Sequence, residues 1–475
     1  MKPKSFIAIT VSLIIAILFC ISLWPYYPNK TKVLLFSLPL FAILSNAGNQ
    51  GSKFSIILLF SCMPFFGNHP GGRFIELFVL LFFIWALTES FSSRPAISTK
   101  FLTFYSLLLA VILLPLILNS ILWPEFNYHK TGLYYILFAN EHSSLYILQQ
   151  TLWILFVSIL VYQLKPHLKF VVIGVGIAFT MTISVGFIEA FVPVVAQLIS
   201  KVHIYVTGYS DIHLPHGIAL EWINKGWVTR SPQSFFFNRS WHSVYLIAAL
   251  PFVAIAYTKL LQGLNTVSSS SKRLLTLSMI LIFSFYLLLI GARGAWIAWV
   301  GFLFVLSVGF ILNRILKTNS RKILPIIVSL SVIAAFIVQI LLPILTIYFK
   351  VNSQEPRYLH FAAAFHIFSM FPVWGGGTEA FGFWNSHSLQ LFGLSSTFGS
   401  SHNAFLQILA GNGLLGAGLY ISIVLLIANQ LKNRLKKELT EQSDTTITII
   451  MAAGIVATLL YGSVQELNYI RPVTL

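Results

Sequence analysis

The chain has 475 residues, of which 57% are hydrophobic and 9% charged, and its 30 Lys and Arg against 13 Asp and Glu give a formal net charge of +17. A water-soluble domain carries roughly 25% charged residues to cover its surface, so most of this surface must face lipid. The basic residues are scattered over many short loops rather than gathered in one stripe, which argues against nucleic acid as a partner.

Apolar runs long enough to cross about 30 Å of hydrocarbon recur along the whole chain. They predict helices at 5–24, 33–46, 54–66, 74–89, 101–122, 144–164, 169–191, 243–261, 274–290, 295–313, 323–348, 404–428 and 446–463. The expected fold class is therefore an all-α polytopic membrane protein of about 12–14 transmembrane helices with two long extracytoplasmic loops, the second of them forming short interfacial helices. The first run follows Met-Lys-Pro-Lys but no small-x-small cleavage pattern follows it, so it reads as a retained helix. The second and third runs are short for a full crossing. The first seven helices carry few polar residues beyond Glu76, Glu89 and Glu189 and read as scaffold. Cys20 and Cys62 both lie inside apolar runs, which supports neither a disulfide framework nor a thiolate metal site. The serine run at 268–271 reads as a flexible cytoplasmic linker.

Alternate loops, counted from the N-terminus, hold the larger share of the Lys and Arg, and these loops are short, as the positive-inside rule requires of cytoplasmic loops. Arg314, Lys317, Arg321 and Lys322 fall in one, and Lys432, Arg434, Lys436 and Lys437 in another. The long loops at about 200–241 and 350–403 then lie on the opposite face, where chemistry is expected. The chain divides accordingly into N-terminal transmembrane helices (1–199), a periplasmic loop (200–241), core transmembrane helices (242–349), a large periplasmic loop (350–403) and C-terminal transmembrane helices (404–475).

Four stretches carry suggestive polar residues: Phe-Asn-Arg-Ser-Trp-His at 237–242, Gly-Ala-Arg-Gly-Ala-Trp at 291–296, Glu-Pro-Arg-Tyr at 355–358 and Ser-Ser-His-Asn-Ala-Phe at 400–405. The topology puts all four at extracytoplasmic helix ends. Arg293, between two glycines in a two-helix turn, either binds an anionic ligand or snorkels to cap a helix. Arg357 has the same two readings, the plainer being a salt bridge to Glu355 or Glu379. His402 is either a capping histidine or a general base that takes a proton from an acceptor hydroxyl. Arginine forks can hold a diphosphate bidentately and offset the charge that grows as it leaves.

A metal site is not expected, because Asp211-Ile-His213-Leu-Pro-His216 has Pro215 inside it and no His-Glu-x-x-His occurs. A carboxylate pair drawn from Asp211, Glu221, Glu355 and Glu379 is no more than chance supplies. The glycines at 375–377 and 411–418 lack the strand context of nucleotide loops, and close packing and loop bending explain them better.

Gly-Ala-Arg-Gly-Ala at 291–295, Pro-Arg-Tyr followed by Phe-Pro-Val-Trp-Gly-Gly-Gly at 371–377, then Ser-His-Asn-Ala-Phe-Leu with Gly413-Leu-Leu-Gly416, resemble in order and spacing the O-antigen ligase and polymerase family of bacterial membrane glycosyltransferases. The resemblance covers about 230–425 and implies a GT-C-like fold with both long loops periplasmic. It implies transfer of a glycan from undecaprenyl diphosphate to an acceptor hydroxyl on the periplasmic face of the inner membrane, without metal or other cofactor. By that resemblance Arg293 and Arg357 would hold the diphosphate, His402 would activate the acceptor in an inverting displacement, and Arg239, with Asn238 and His242 beside it, would contact substrate. Relatives commonly place a serine where Ala292 stands and have an Asn-rich stretch near 238. Lipid A core is the first candidate acceptor, while another lipid-linked repeat unit, an exopolysaccharide chain or a protein hydroxyl are alternatives within the family. Two other classes compete: a lipid-linked oligosaccharide transporter, which would favour ionisable residues at the bilayer midplane, and a non-catalytic membrane subunit.

Overall fold

The computed structural model describes residues 56–57, 60–61, 64, 99–122, 168–207, 218–236, 239–264, 266–315, 323–348, 357–377, 381, 384 and 401–464. Among them all regular structure is helical: α1 (Thr99–Leu122), α2 (Leu168–Phe191), α3 (Pro193–Thr207), α4 (Ile218–Asn224), α5 (Arg239–Gly263), α6 (Ser269–Ile290), α7 (Arg293–Ile315), α8 (Leu324–Tyr348), α9 (Arg357–Met370), α10 (Ala404–Thr440) and α11 (Thr446–Gly462). Six of these, α2, α5, α6, α7, α8 and α10, are long and apolar enough to cross a membrane, so the chain is a multi-pass membrane protein.

The runs expected at 101–122, 169–191, 243–261, 274–290, 295–313, 323–348, 404–428 and 446–463 correspond to α1, α2, α5, α6, α7, α8, α10 and α11. Those at 5–24, 33–46, 74–89 and 144–164 lie outside the described residues, and 54–66 is described only at Ile56, Ile57, Phe60, Ser61 and Pro64, all helical. Two differences have physical causes. The serine run is not a linker: Ser268 caps α6, its hydroxyl accepting from Ser271 N at 3.1 Å, and the next three serines form the helix's first turn. The second long loop contains a short helix, α9, as expected, and the first holds the end of α3 and all of α4. Helix α10 continues past its apolar run because Leu431 and Leu435, one turn apart, stay buried while Lys432, Arg434, Lys436 and Lys437 stand exposed. Glu438 fastens that end, accepting from Thr448 Oγ1 at 2.7 Å and pairing with Arg434.

The described residues fall into two compact units, one made of α2–α6 with α7 as far as Trp296, the other of α1, α7 from Ile297, and α8–α11. In the second, α7 and α11 run antiparallel through small residues. A Cβ on Gly309 would stand 2.6 Å from Ile449 Cγ2, a Cβ on Gly301 would strike Leu460, and Asn313 Nδ2 donates to Thr445 Oγ1 at 3.1 Å.

The backbone of α10 breaks at Gly413, which has φ 58° and ψ −154°. A break inside a membrane helix orphans carbonyls on one side and N–H groups on the other. The glycine-rich segment after α9 supplies both sets of partners. Gly376 N and Gly377 N donate to Ala410 O and Gly411 O at 2.7 and 2.9 Å, and Leu414 N and Leu415 N donate to Pro372 O and Val373 O at 2.9 and 3.2 Å. So close an approach leaves no room for side chains: a Cβ on Gly375 would collide with the backbone of Gly411 and Asn412, and one on Gly413 would lie 2.5 Å from Val373 O. Trp384 Nε1 donates to Gly376 O at 2.7 Å, and Asn119 of α1 donates to Gly375 O at 3.1 Å while accepting from Trp374 Nε1.

Gly413→Ala forces a side chain into a left-handed backbone against a carbonyl and is expected to cost about 2 kcal/mol. Gly418→Ala, where a Cβ meets nothing within 4 Å, is the control and should be neutral or slightly stabilising. Thermal unfolding of the two variants in the same detergent reads the difference, and equal midpoints would remove the argument for a stitched break.

Candidate functional site

His402 sits immediately before α10, half-buried, in the left-handed region at φ 52°. A β-carbon there is strained by about 1 kcal/mol or more, so the neighbours must impose the conformation. Ser401 and Asn403 are wholly buried. Ser401 N donates to Gln407 Oε1 at 2.9 Å, and Ser401 Oγ donates to Asn403 O at 2.8 Å. Asn403 is the N-cap: its Oδ1 accepts from Leu406 N at 2.9 Å, while its Nδ2 donates to Gln339 O at 2.9 Å and Ser463 O at 3.0 Å. Gln339 O is the carbonyl that Pro343 leaves without its helical donor four residues on. The same glutamine's side chain donates to Leu459 O at 3.2 Å and accepts from Tyr420 OH at 3.0 Å. A lattice of neutral amides thus joins α8, α10 and α11 directly behind the histidine.

Arg357 opens α9 and enters the same neighbourhood, donating from Nη1 to Val464 O at 2.8 Å just past the end of α11. A guanidinium has five donors, so this bond anchors the side chain without exhausting it. Its expected alternative partners, Glu355 and Glu379, lie outside the described residues. One turn further along α9, His360 is wholly buried and packs its ring on that of His402, with centroids 4.7 Å apart and planes inclined at 53°.

Arg293, Arg239 and His242 belong to the other unit. Helix α6 ends at Gly291, which takes the left-handed C-terminal position at φ 66° and donates to Leu287 O at 3.2 Å, so the arginine is not needed as a cap. Arg293 is then the first residue of α7 and is exposed. A helix N-terminus carries partial positive charge and prefers acidic neighbours, yet here a guanidinium is added to it, and among the described residues no carboxylate pairs with Arg293. Both features favour an anion.

The turn that carries Arg293 is braced by the segment before α5. Ser231 Oγ donates to Ile290 O at 2.7 Å, and Thr229 N donates to Ala190 O at 2.7 Å. Glu189 holds this segment from below: its Oε2 accepts from Gln233 N and Ser234 N at 2.9 and 2.7 Å, and its Oε1 lies 3.1 Å from Arg230 Nε. Ser234 is the second strained residue, at φ 53°.

Two expected substrate contacts have other surroundings. His242 is fully buried, stacked on Phe236 at 5.5 Å, with Nδ1 3.2 Å from Pro232 O and Nε2 3.3 Å from Tyr286 OH. Both ring nitrogens are engaged within the unit, so in this conformation the residue supports the 230–236 segment and presents nothing to a ligand. Arg239 is likewise buried at the start of α5, and Asn238 lies outside the described residues. Among the described residues no three His, Cys, Asp or Glu side chains gather as metal ligands, and Asp211, His213 and His216 lie outside them.

The sequence reading missed Asn403, Gln339, His360 and the Glu189–Arg230 pair. The signal for Gln339 was available: a lone glutamine in an apolar helix, four residues before a proline. His360 was available as the residue one turn after Arg357 on a helical face.

The family model described as O-antigen ligase matches residues 277–421. Arg293, Arg357 and His402 fall inside the match, whereas Arg239, Asn238 and His242 precede it. No curated protein and no solved structure matches the chain.

Asn403→Asp keeps the acceptor that caps α10 but sets carboxylate oxygens against Gln339 O and Ser463 O in place of two donors. Leaving two buried carbonyls unpaired is expected to lower stability by about 2–3 kcal/mol, read as a fall in the thermal midpoint in detergent. An Asn403→Asp variant as stable as the parent would mean that the cap alone, not the amide lattice, holds this end of α10.

Proposed function

From the premise that residues 277–421 form an O-antigen ligase domain, we propose that the chain is a glycosyltransferase that moves a glycan from undecaprenyl diphosphate to an acceptor hydroxyl. The transfer takes place on the periplasmic face of the bacterial inner membrane, with lipid A core as acceptor. The observation that carries this reading is Arg293: an exposed cation at the positive end of α7, with no carboxylate partner among the described residues, inside the matched domain.

In the proposed reaction the acceptor oxygen attacks the anomeric carbon from the side opposite the diphosphate. The new C–O bond forms as the bond to the diphosphate oxygen breaks, so the configuration inverts. His402 takes the acceptor's proton, and the departing diphosphate keeps the bonding electron pair. Arg293 and Arg357 offset the negative charge that grows on it, the task a divalent metal performs in other transferases. Joining the glycan to another lipid-linked repeat unit or to a protein hydroxyl uses the same chemistry and differs only in the acceptor.

The test is transfer from purified undecaprenyl-diphosphate donor by protein in nanodiscs with EDTA present, across the candidate acceptors. His402→Ala and Arg293→Ala are expected to lose about 100-fold or more. Arg293→Lys should fall between them and the parent, because lysine keeps the charge but not the bidentate fork. Folded variants that transfer like the parent, or donor that crosses the bilayer intact, would overturn the transferase reading in favour of a subunit or a transporter respectively.

A further inference from the structure

We propose that Trp227, with Glu221, Asn224, Lys225 and Thr229 in the same short stretch, is a sugar-binding subsite that grips a glycan away from the bond being made. The source of that glycan rests on the transferase reading, while the subsite rests on how the chain holds this tryptophan. Helix α4 closes at Gly226, whose φ is 70° and whose N–H donates to Ile223 O at 2.9 Å, and Trp227 N donates to Trp222 O at 2.9 Å. In this Schellman pairing an apolar residue after the glycine frequently folds back onto the last turn. Trp227 instead stands 63% exposed. Its backbone is fixed on both sides: Val228 is buried, Thr229 N donates to Ala190 O at 2.7 Å, and Trp222 packs on Phe285 of α6 with centroids 5.8 Å apart. A segment held in this way presents the ring to the outside and forgoes the free energy of burying it.

The surroundings of the ring show what it is suited to meet. Lys225 Nζ lies over one face, 4.9 Å from the centroid, and pairs with Glu221 Oε1 at 2.6 Å, so the other face is the open one. Glu221, Asn224, Lys225 and Thr229 are all exposed, and bring a carboxylate, an amide, an ammonium and a hydroxyl to this stretch. A sugar ring has the complementary make-up. Its C–H groups meet the electron-rich face of an aromatic ring, and its hydroxyls both donate and accept hydrogen bonds. A membrane surface fits less well, because an interfacial tryptophan keeps one end among apolar groups, and an exposed carboxylate such as Glu221 is repelled by anionic lipid. The stretch also lies at the end of the unit that carries Arg293. Thr229 is tied to the last turn of α2, and Ser231 Oγ reaches Ile290 O in the turn that leads to Arg293. From Trp227 to Ser231 is about 14 Å of chain at full extension. A glycan anchored at Arg293 through its diphosphate thus has Trp227 within its own length once it carries several sugars. The same chemistry serves the donor's glycan and a glycan acceptor, and experiment separates the two.

The test uses the full chain in nanodiscs and two probes: the oligosaccharide released by mild acid from purified lipid-linked donor, and the core oligosaccharide released from lipopolysaccharide. Binding is read by saturation-transfer NMR. The parent is expected to bind one of them, Trp227→Ala to weaken that binding about ten-fold, and Trp227→Tyr, which keeps an aromatic face, to stay within about three-fold of the parent. In the transfer assay Trp227→Ala should raise KM about ten-fold with kcat within about two-fold. The KM affected is that for donor if the donor's oligosaccharide binds, and that for acceptor if the core oligosaccharide binds. Equal binding by parent and Trp227→Ala, or a parent that binds neither probe, overturns the subsite. So does a Trp227 fluorescence, taken as parent minus Trp227→Phe, that brominated phospholipid quenches and aqueous iodide does not, since the ring would then be a membrane anchor. Binding that depends on Trp227 in a protein that transfers no glycan to any acceptor would establish the subsite and sink the transferase reading, so the two claims fail separately.

Discussion

A chain inside lipid has no water to repair a broken backbone hydrogen bond, and every departure from a continuous helix must be mended by the protein itself. This chain departs repeatedly, and at two of the departures the partner is an asparagine of α10 or its cap. Pro343 frees Gln339 O in α8, and Asn403 Nδ2 takes it; Pro115 frees Val111 O in α1, and Asn412 Nδ2 takes it at 3.0 Å. The third departure, the break at Gly413, is closed by the backbone of residues 372–377. Helix α10 is thus interrupted itself and also repairs its neighbours.

This repair is what positions His402. The strained backbone of that residue would relax if the chain were free to do so, and it is not free while Asn403 is held at three atoms and Ser401 at two. On the other unit the same logic applies to Arg293, whose turn is set by a left-handed glycine and by Ser231 reaching Ile290 O, with Glu189 bracing the Ser231 segment from α2. In each case the residue with chemistry to offer is one whose backbone has been fixed by others.

Much of this was legible and some could not be. The hydropathy pattern located α1, α2, α5–α8, α10 and α11 because a membrane span is the strongest signal a sequence carries. It ended α10 too early because the pattern reports burial in lipid, whereas a helix needs only an unbroken backbone, which residues 429–440 keep on an amphipathic face. Arg293, Arg357 and His402 were legible as residue types within short motifs, and all three lie inside residues 277–421, which the family model matches. The surroundings of His242 were not legible, for an equally clear reason: adjacency to Arg239 in sequence says nothing about direction, and the first turn of α5 points His242 into Phe236 and Tyr286. Asn403 was visible only as one letter of a motif, because its partners are 64 and 60 residues away.

The choice of amides for these repairs also has a reason in the solvent. A lysine or aspartate could mend a stray carbonyl or N–H, but an ion in hydrocarbon is costly and must be paired in turn. Asparagine and glutamine carry a donor and an acceptor with no charge, so Asn403, Asn412, Asn119 and Gln339 fix the backbone without adding net charge. Among the described residues, α8, α9, α11 and the part of α10 before Gly413, which surround Arg357 and His402, contain no Asp or Glu. A carboxylate used for the same repairs would have brought a buried charge that itself needed a partner.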